Sequence, residues 1–324
     1  MKLVQATKLD SIADYRLVDG PVPKPGPGEV LLKVAACGVG YVDSLVALGR
    51  YQVKPNLPHT PGQEAGGTIE AVGAGVTGLA AGDRVMANVN GGFAEYALAS
   101  AATAIKIPDR MGFAQAAGFR INYLTALHGL RDRAHLAKGE RLLVLGAAGG
   151  VGIAAIQIGR ILGAEIVAAA SSEAKRDFAR AQGAQKVLDT GPEGWRGRLK
   201  AACGDRGPDI VFDPVCGPLF EPAFRSLAWN GRHLVVGFVG GPIPALKSNL
   251  PLMKGAALVG VDVRQFQLFE RQKTEAHVAE LLSWVAEGRL VPPVGRSFRL
   301  DEFAPALEFA LSGKGLGKTV VEVA

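Results

Sequence analysis

The stretch Leu142-Leu143-Val144-Leu145-Gly146-Ala147-Ala148-Gly149-Gly150-Val151-Gly152, followed by the apolar run Ile153 to Leu162, decides the fold. A buried strand runs into a glycine turn and then a helix, the arrangement that sets a dinucleotide pyrophosphate on a helix N-terminus. In the pattern G-x-G-x-x-G the frame is Ala147-x-Gly149-x-x-Gly152, with Ala in the first glycine position. Lacking Cβ atoms, Gly149 and Gly150 let backbone N–H groups approach phosphate oxygens, and Gly152 lets the first helical turn pack on the strand. Ala148 and Val151 complete the candidate cofactor loop. An isolated glycine match also fits a tight connection with no ligand. Here Glu165 to Ala170 reads as a second apolar strand and Ser171 to Ala181 as a second helix closed by Gly183, a βαβ unit of the right length for NAD(P).

At the end of the second strand an NAD-binding domain carries Asp or Glu for the ribose hydroxyls, roughly 20 residues after the glycines. Here the position is Ala170, followed by Ser171, Ser172 and, one turn on, Lys175 with Arg176 beside it. No carboxylate repels a 2′-phosphate, and two hydroxyls with a cation suit one. Ser172 also serves as an N-cap in either case. The expected cofactor is NADPH.

From Leu142 onward strand and helix signals alternate. Strands are expected at Leu142–Leu145, Ile166–Ala170, Lys186–Leu188, Asp209–Asp213, His233–Phe238 and Ala257–Val261, which predicts an α/β, doubly wound parallel sheet. Residues 1–110 differ. Short runs such as Val30–Ala36, Gly67–Val72 and Arg84–Ala87, split by Pro and Gly, predict a β-rich unit. The tail adds helices at Thr274–Glu287 and Asp301–Leu311 and a strand at Thr319–Val323. No internal repeat interrupts this order.

The 324 residues suffice for two domains, and 20% charged with 48% hydrophobic residues describes a soluble globular chain. The net charge of +6 is scattered, without a basic run or interleaved aromatics, so it reads better as a surface attractive to an anionic cofactor, and no nucleic-acid partner is expected. The first ten residues have no apolar core of a secretion signal, and the one long apolar region, Leu142 to Ala170, is broken by Arg160 and Glu165, so no membrane partner is expected. Cys37, Cys203 and Cys216 are odd in number and widely spaced, which fits a reducing cytoplasm rather than a disulfide framework.

Seven segments carry a resemblance across nearly the whole chain: Ala36-Cys37-Gly38-Val39-Gly40-Tyr41-Val42-Asp43, Pro61-Gly62-Gln63-Glu64-Ala65-Gly66-Gly67, Gly82-Asp83-Arg84-Val85, Asn122-Tyr123-Leu124-Thr125-Ala126-Leu127, the glycine run, Phe212-Asp213-Pro214-Val215 and Gly317-Lys318-Thr319-Val320-Val321. In this order the chain resembles the zinc-independent quinone oxidoreductase family of the medium-chain dehydrogenase/reductase superfamily. The resemblance implies a GroES-like catalytic domain from residues 1–117 and 262–324, a Rossmann domain from 118–261, and a homodimer. It also implies that Gly40, Tyr41, Val42 and Asp43 face the nicotinamide with Thr125 nearby, and that Val215, Phe238 and Lys318 line the cofactor channel. Gly40 and Leu45 stand where the family often has Asn and Tyr.

Metal chemistry is not expected. The zinc alcohol dehydrogenases carry Cys at the position of Gly40 and His at that of Gln63, and neither residue here is a zinc ligand; three cysteines are also too few for a four-Cys structural site. The run Gly313-Lys314-Gly315-Leu316-Gly317-Lys318-Thr319 is one residue short of a nucleotide phosphate loop. Among the five histidines, His128 and His135 are seven apart, which puts them on one helix face in a surface or packing role. Two residues are candidate catalysts. Tyr51, just after a short helix Ser44–Leu48, reads either as a hydrogen-bond donor to a carbonyl or as a packed helix-end Tyr. Asp43 reads either as the N-cap of that helix or as an acid. Cys37 sits in an apolar strand and reads as core.

These observations predict a metal-free, NADPH-dependent oxidoreductase passing hydride to a small-molecule electron acceptor, a quinone or an α,β-unsaturated carbonyl. An enoyl-thioester reductase and a dinucleotide-binding protein with little catalysis are the alternatives.

Overall fold

Short strands separated by Gly and Pro build the first of two units, Met1–Arg120 with Val285–Ala324, in the computed structural model, which describes residues 1–52 and 54–323. Along the chain they are β1 (Lys2–Gln5), β2 (Arg16–Asp19), β3 (Glu29–Val39), the helix α1 (Tyr41–Ala47), β4 (Glu64–Val72), β5 (Arg84–Asn88), β6 (Tyr96–Ser100), β7 (Ile105–Lys106) and α2 (Phe113–Ala116). The strand β3 is apolar on both faces and almost wholly buried, because it pairs antiparallel with β4 and β6 and is covered on each side. Val30, Leu32 and Val34 pack with Ile69, Val85 and Ala97 on one side, while Cys37 and Val39 join Val4, Tyr15 and Phe93 on the other. Each fully buried Leu, Ile or Val contributes about 1.5–3 kcal/mol.

The second unit, Ile121–Trp284, follows the strand–helix alternation. After α3 (Arg120–Leu127) and a wide π-helical turn at His128–Arg133 come β8 (Arg141–Val144), α4 (Gly150–Ile161), β9 (Glu165–Ala169), α5 (Glu173–Ala181), β10 (Lys186–Leu188), α6 (Trp195–Cys203), β11 (Ile210–Asp213), α7 (Phe220–Arg225), β12 (Arg232–Val235), α8 (Asn249–Lys254), β13 (Ala257–Gly260), α9 (Val263–Phe269) and α10 (Arg271–Ala286). Six parallel strands lie in the order β10-β9-β8-β11-β12-β13. Leu142, Leu143 and Val144 are fully buried, as a central parallel strand requires, and Ile153, Ala154, Ile156 and Ile158 make α4 apolar nearly all round. Strand order reverses between β8 and β11, and the carboxyl ends at such a reversal are where a doubly wound sheet takes its ligand.

The chain then re-enters the first unit as β14 (Val294–Arg299), α11 (Phe303–Leu311) and β15 (Lys318–Glu322), with β15 antiparallel to β3. The crossing falls after Trp284, not at the expected 261/262 boundary. Side chains explain the difference: Asp132 holds His277 and Lys273 of α10, and Phe266 of α9 stacks on His128 at 3.9 Å, which ties both helices to the π-helical turn. The segment from Asp262 is a helix because the Asp262 carboxylate caps it, accepting from the amides of Arg264 and Gln265. His128 and His135 do not share a helix face, since the turn ends at Arg133 and His135 adopts a left-handed φ of 49°.

Candidate active site

At the end of β8 the chain reverses through Gly146, whose φ of 58° needs a residue without Cβ. Gly149 is the N-cap of α4, and its N–H bonds to the Gly146 carbonyl at 3.1 Å. That bond corrects the sequence expectation: Gly149 closes the turn, and the amides without an intrahelical acceptor are those of Gly150, Val151 and Gly152. A Cβ on Gly152 would lie 2.4 Å from the Gly146 carbonyl oxygen, so only glycine lets the helix sit this close to the turn, whereas a Cβ on Gly149 would meet nothing nearer than 3.5 Å. Ala148 is buried beside them.

Beyond β9, Ser172 caps α5, its Oγ accepting from the Lys175 amide at 3.3 Å. Lys175 turns its ammonium to Ser171 Oγ at 3.3 Å, and burial lowers its pKa. Arg176 is committed elsewhere, to the Ala170 carbonyl and Asp189. Ser171, Ser172 and Lys175 therefore form one hydroxyl-and-ammonium group at the carboxyl end of β9, with Ala170 contributing no charge.

The other side of the reversal follows β11. Val215 packs over Gly146, where a Cβ would lie 2.8 Å from its Cγ2, and its carbonyl accepts from the Gly240 amide at 2.8 Å. Phe238 lies outside β12, which stops at Val235 instead of reaching the expected residue 238; past it the backbone closes on the Pro214 carbonyl at Gly237, and Phe238 is 45% exposed. Thr125 is buried, and its hydroxyl donates back to the Ile121 carbonyl at 2.6 Å, leaving oxygen lone pairs as its remaining capacity. Tyr123 donates to Gln157, which donates to Gln182, tying α3 to α4 and to the end of α5.

In the first unit the site residues are charged side chains. Helix α1 begins at Tyr41, earlier than expected, so Gly40 is its N-cap and Asp43 is three residues inside. Asp43 is therefore not the N-cap; its carboxylate reaches back and accepts from the Gly40 amide at 2.7 Å. Burial pushes the Asp43 pKa up, opposed by Lys318 and the Gly40 amide. Tyr41 and Val42 fill the first turn, Tyr41 half-buried and Val42 exposed. Lys318 lays its stem across Gly38 and Gly118, and its ammonium stands 3.8 Å from Glu64 and beside Gly40. Arg120 has Nε and Nη1 buried with no hydrogen-bond partner among the described residues; burial lowers its pKa and Glu64 opposes the shift. Tyr51 lies half-buried in a bend past α1. Cys37 is core, its thiol pushed far up by burial. Among the described residues no group of three His, Cys, Asp or Glu could hold a metal ion.

Comparison with known proteins matches residues 26–109 to the alcohol dehydrogenase GroES-like domain and residues 150–284 to the family described as zinc-binding dehydrogenase. The human quinone oxidoreductase is 35% identical over 308 residues, covering 94% of this chain and 92% of that protein. The chain belongs to the quinone oxidoreductase family. It is thus an oxidoreductase of the medium-chain dehydrogenase/reductase superfamily, with a GroES-like unit and a Rossmann unit. Among solved structures, a mycobacterial protein complexed with NADPH superposes with a TM-score of 0.91 at 30% identity, covering 99% of this chain and 100% of that one. The enoyl reductase CurK superposes with a TM-score of 0.89 at 26% identity, covering 100% and 99%.

Within the quinone oxidoreductase frame, the predicted residues fall into two groups, Gly40 to Asp43 with Lys318 in the GroES-like unit, and the glycine turn, Ser171, Ser172, Lys175, Thr125 and Val215 in the Rossmann unit. The structure adds Glu64 and Arg120 to the charged group around Lys318, and at the carboxyl end of β11 a buried pair, Asp213 with His233 at 3.0 Å, none of which the sequence singled out. Asp213 carried a usable signal, since an Asp closing an apolar strand before Pro marks a side chain that organises the next turn. Glu64 and Arg120 carried none, because what defines them is burial against residues distant in sequence.

Proposed function

We propose that this protein is an NADPH-dependent, metal-free reductase of conjugated acceptors, quinones or α,β-unsaturated carbonyls. The observation that carries the proposal is the glycine turn at the β8/β11 switch point with Ser171 and Lys175 paired at the end of β9 and no carboxylate at Ala170. The residues present fit the cofactor: the first-turn amides of α4 have no intrahelical acceptor and no N-cap side chain, and a Cβ on Gly149 would meet nothing nearer than 3.5 Å, which leaves room for a phosphate. Gly150, Val151 and Gly152 would hold the pyrophosphate, and Ser171, Ser172 and Lys175 the 2′-phosphate. Within the Rossmann unit, Ala148, Val215, Thr125 and Phe238 would flank the ribose and nicotinamide. When bound, NADPH supplies the hydride.

The chain's own residues orient the acceptor, exclude water and stabilise charge on the acceptor oxygen. Tyr51 is the hydroxyl donor for that oxygen, and Asp43, whose pKa burial pushes up, is the second candidate acid. With Gly40 and Gln63 at the positions where zinc relatives have ligands, no metal serves as Lewis acid. Alcohol oxidation, which relies on a metal-stabilised alkoxide, is therefore expected to be slow. An enoyl-thioester acceptor is the second reading, favoured by the structural likeness to an enoyl reductase.

We place the enzyme in a reducing cytoplasm on the strength of its three buried free cysteines. We also propose a homodimer through the outer edge of β13, unpaired among the described residues, in a unit that also exposes Trp229, Leu252, Met253 and Phe269. Light scattering at micromolar concentration should return twice the chain mass. The functional test is an acceptor screen with chelated protein and NADPH. Quinones or enones should be reduced, simple alcohols should not be oxidised with NADP, and Tyr51→Phe should lower kcat while leaving NADPH binding intact. Good alcohol oxidation with inert conjugated acceptors would overturn the reading, and NADPH binding with no turnover on any acceptor would leave a binding protein.

A further inference from the structure

Asp213, at the carboxyl end of β11, is fully buried and uses both carboxylate oxygens. Its Oδ1 accepts from two successive amides, Val215 at 2.9 Å and Cys216 at 2.8 Å. Its Oδ2 lies 3.0 Å from Nε2 of His233, a β12 residue that is also fully buried. The two amide bonds bend the chain sharply enough that Cys216 takes a φ of 46°, a left-handed conformation uncommon for a residue with Cβ and stable only where the surroundings fix it. The bend sets Val215 on Gly146 and aligns its carbonyl with the Gly240 amide.

His233 is an unusual choice for its place. Its ring lies 4.8 Å from that of Phe220 and 6.1 Å from that of Phe224, and its Nδ1 is buried with no hydrogen-bond partner among the described residues. An apolar side chain would fill this pocket without burying a polar ring nitrogen. What an apolar side chain lacks is the Nε2–H donated to Asp213. We propose that His233 is a positioning residue for the dinucleotide. Through Asp213 it holds the strained Val215–Cys216 turn against the glycine turn, so that cofactor affinity depends on a side chain sealed from solvent. This inference rests on the carboxyl ends of β8 and β11 being the NADPH site.

The test uses the full chain with His233→Leu, His233→Gln and His233→Asn. The Gln amide nitrogen reaches the place of Nε2, whereas the shorter Asn reaches only that of Nδ1. NADPH affinity is read from nicotinamide fluorescence, and protection of the Val215 and Cys216 amides from hydrogen exchange in cofactor-free protein. His233→Leu and His233→Asn should weaken NADPH binding about tenfold and expose both amides, while His233→Gln stays within about threefold of the parent, as expected for one hydrogen bond to a carboxylate. If His233→Leu does not fold, the Asn and Gln variants, both polar, decide the matter. Equal NADPH affinity and equal amide protection in those two would overturn the proposal. Failure of the parent protein to bind NADPH would refute the cofactor reading instead, and the exchange rates would still decide whether His233 holds the turn.

Discussion

Two buried aspartates, one in each unit, have opposite electrostatics. Asp43 and Asp132 are similarly sealed from solvent, and for both the largest single influence is burial, which disfavours the carboxylate. At Asp132 the hydrogen bonds from His128 at 2.8 Å, Lys273 at 3.0 Å and His277 at 2.9 Å together overcome it, and the pKa falls. Asp43 has the Gly40 amide and a more distant Lys318, which do not suffice, and its pKa rises. Burial alone therefore does not mark a functional carboxylate; the count of donors around it does. Asp132 is surrounded as a clasp for α9 and α10, whereas Asp43 draws its donors from backbone amides beside Gly40, where the proposed chemistry lies.

The contrast can be broken most forcefully at Asp132. Because its folded pKa is lowered, its stabilisation is present above the ordinary carboxylate value and lost as pH falls through the folded value. Asp132→Asn should lower unfolding free energy by about 3 kcal/mol at pH 7, as expected when one partner of a buried ionic group is removed. In denaturant melts the difference from the parent should vanish below the carboxylate range. A pH-independent loss would mean that Asp132 acts by packing.

Lys318→Met sharpens the other side. Removing the cation that opposes burial should drive the Asp43 pKa further upward, visible in a carboxyl-carbon NMR titration, with about 1–2 kcal/mol of stability lost at pH 7 as Glu64 loses its neighbour. Asp43→Asn should have the smallest stability effect, within about 1 kcal/mol at pH 7, since an amide oxygen can still accept from Gly40. Here the sign reverses: a raised folded pKa gives stability that is present below the ordinary value and lost as pH rises through the folded one. The parent's advantage over Asp43→Asn should therefore shrink with rising pH, and an advantage that grows would contradict the assignment.

The same contrast explains what was legible in the sequence. The Rossmann unit is built from local signals, apolar runs four or five residues long and glycines at fixed spacing, and β10 falls at Lys186–Leu188 as expected. Where a partner from elsewhere decides, local reading slips. Helix α1 starts early because the Asp43 carboxylate returns to Gly40, β12 stops early because Gly237 meets Pro214, and α9 and α10 join the Rossmann unit because Asp132 and His128 hold them. The GroES-like site is assembled from residues 40, 43, 64, 120 and 318, and no window of sequence contains more than the first two with a shared role.

The central claim is that the end of β9 is built for a 2′-phosphate, and parallel titration of the protein with NADPH and NADH tests it most directly. A phosphate contact made by Lys175 with Ser171 should make NADPH bind about 10- to 150-fold more tightly, and Lys175→Ala should remove most of that preference. Equal affinity for the two cofactors in the parent protein would contradict the account.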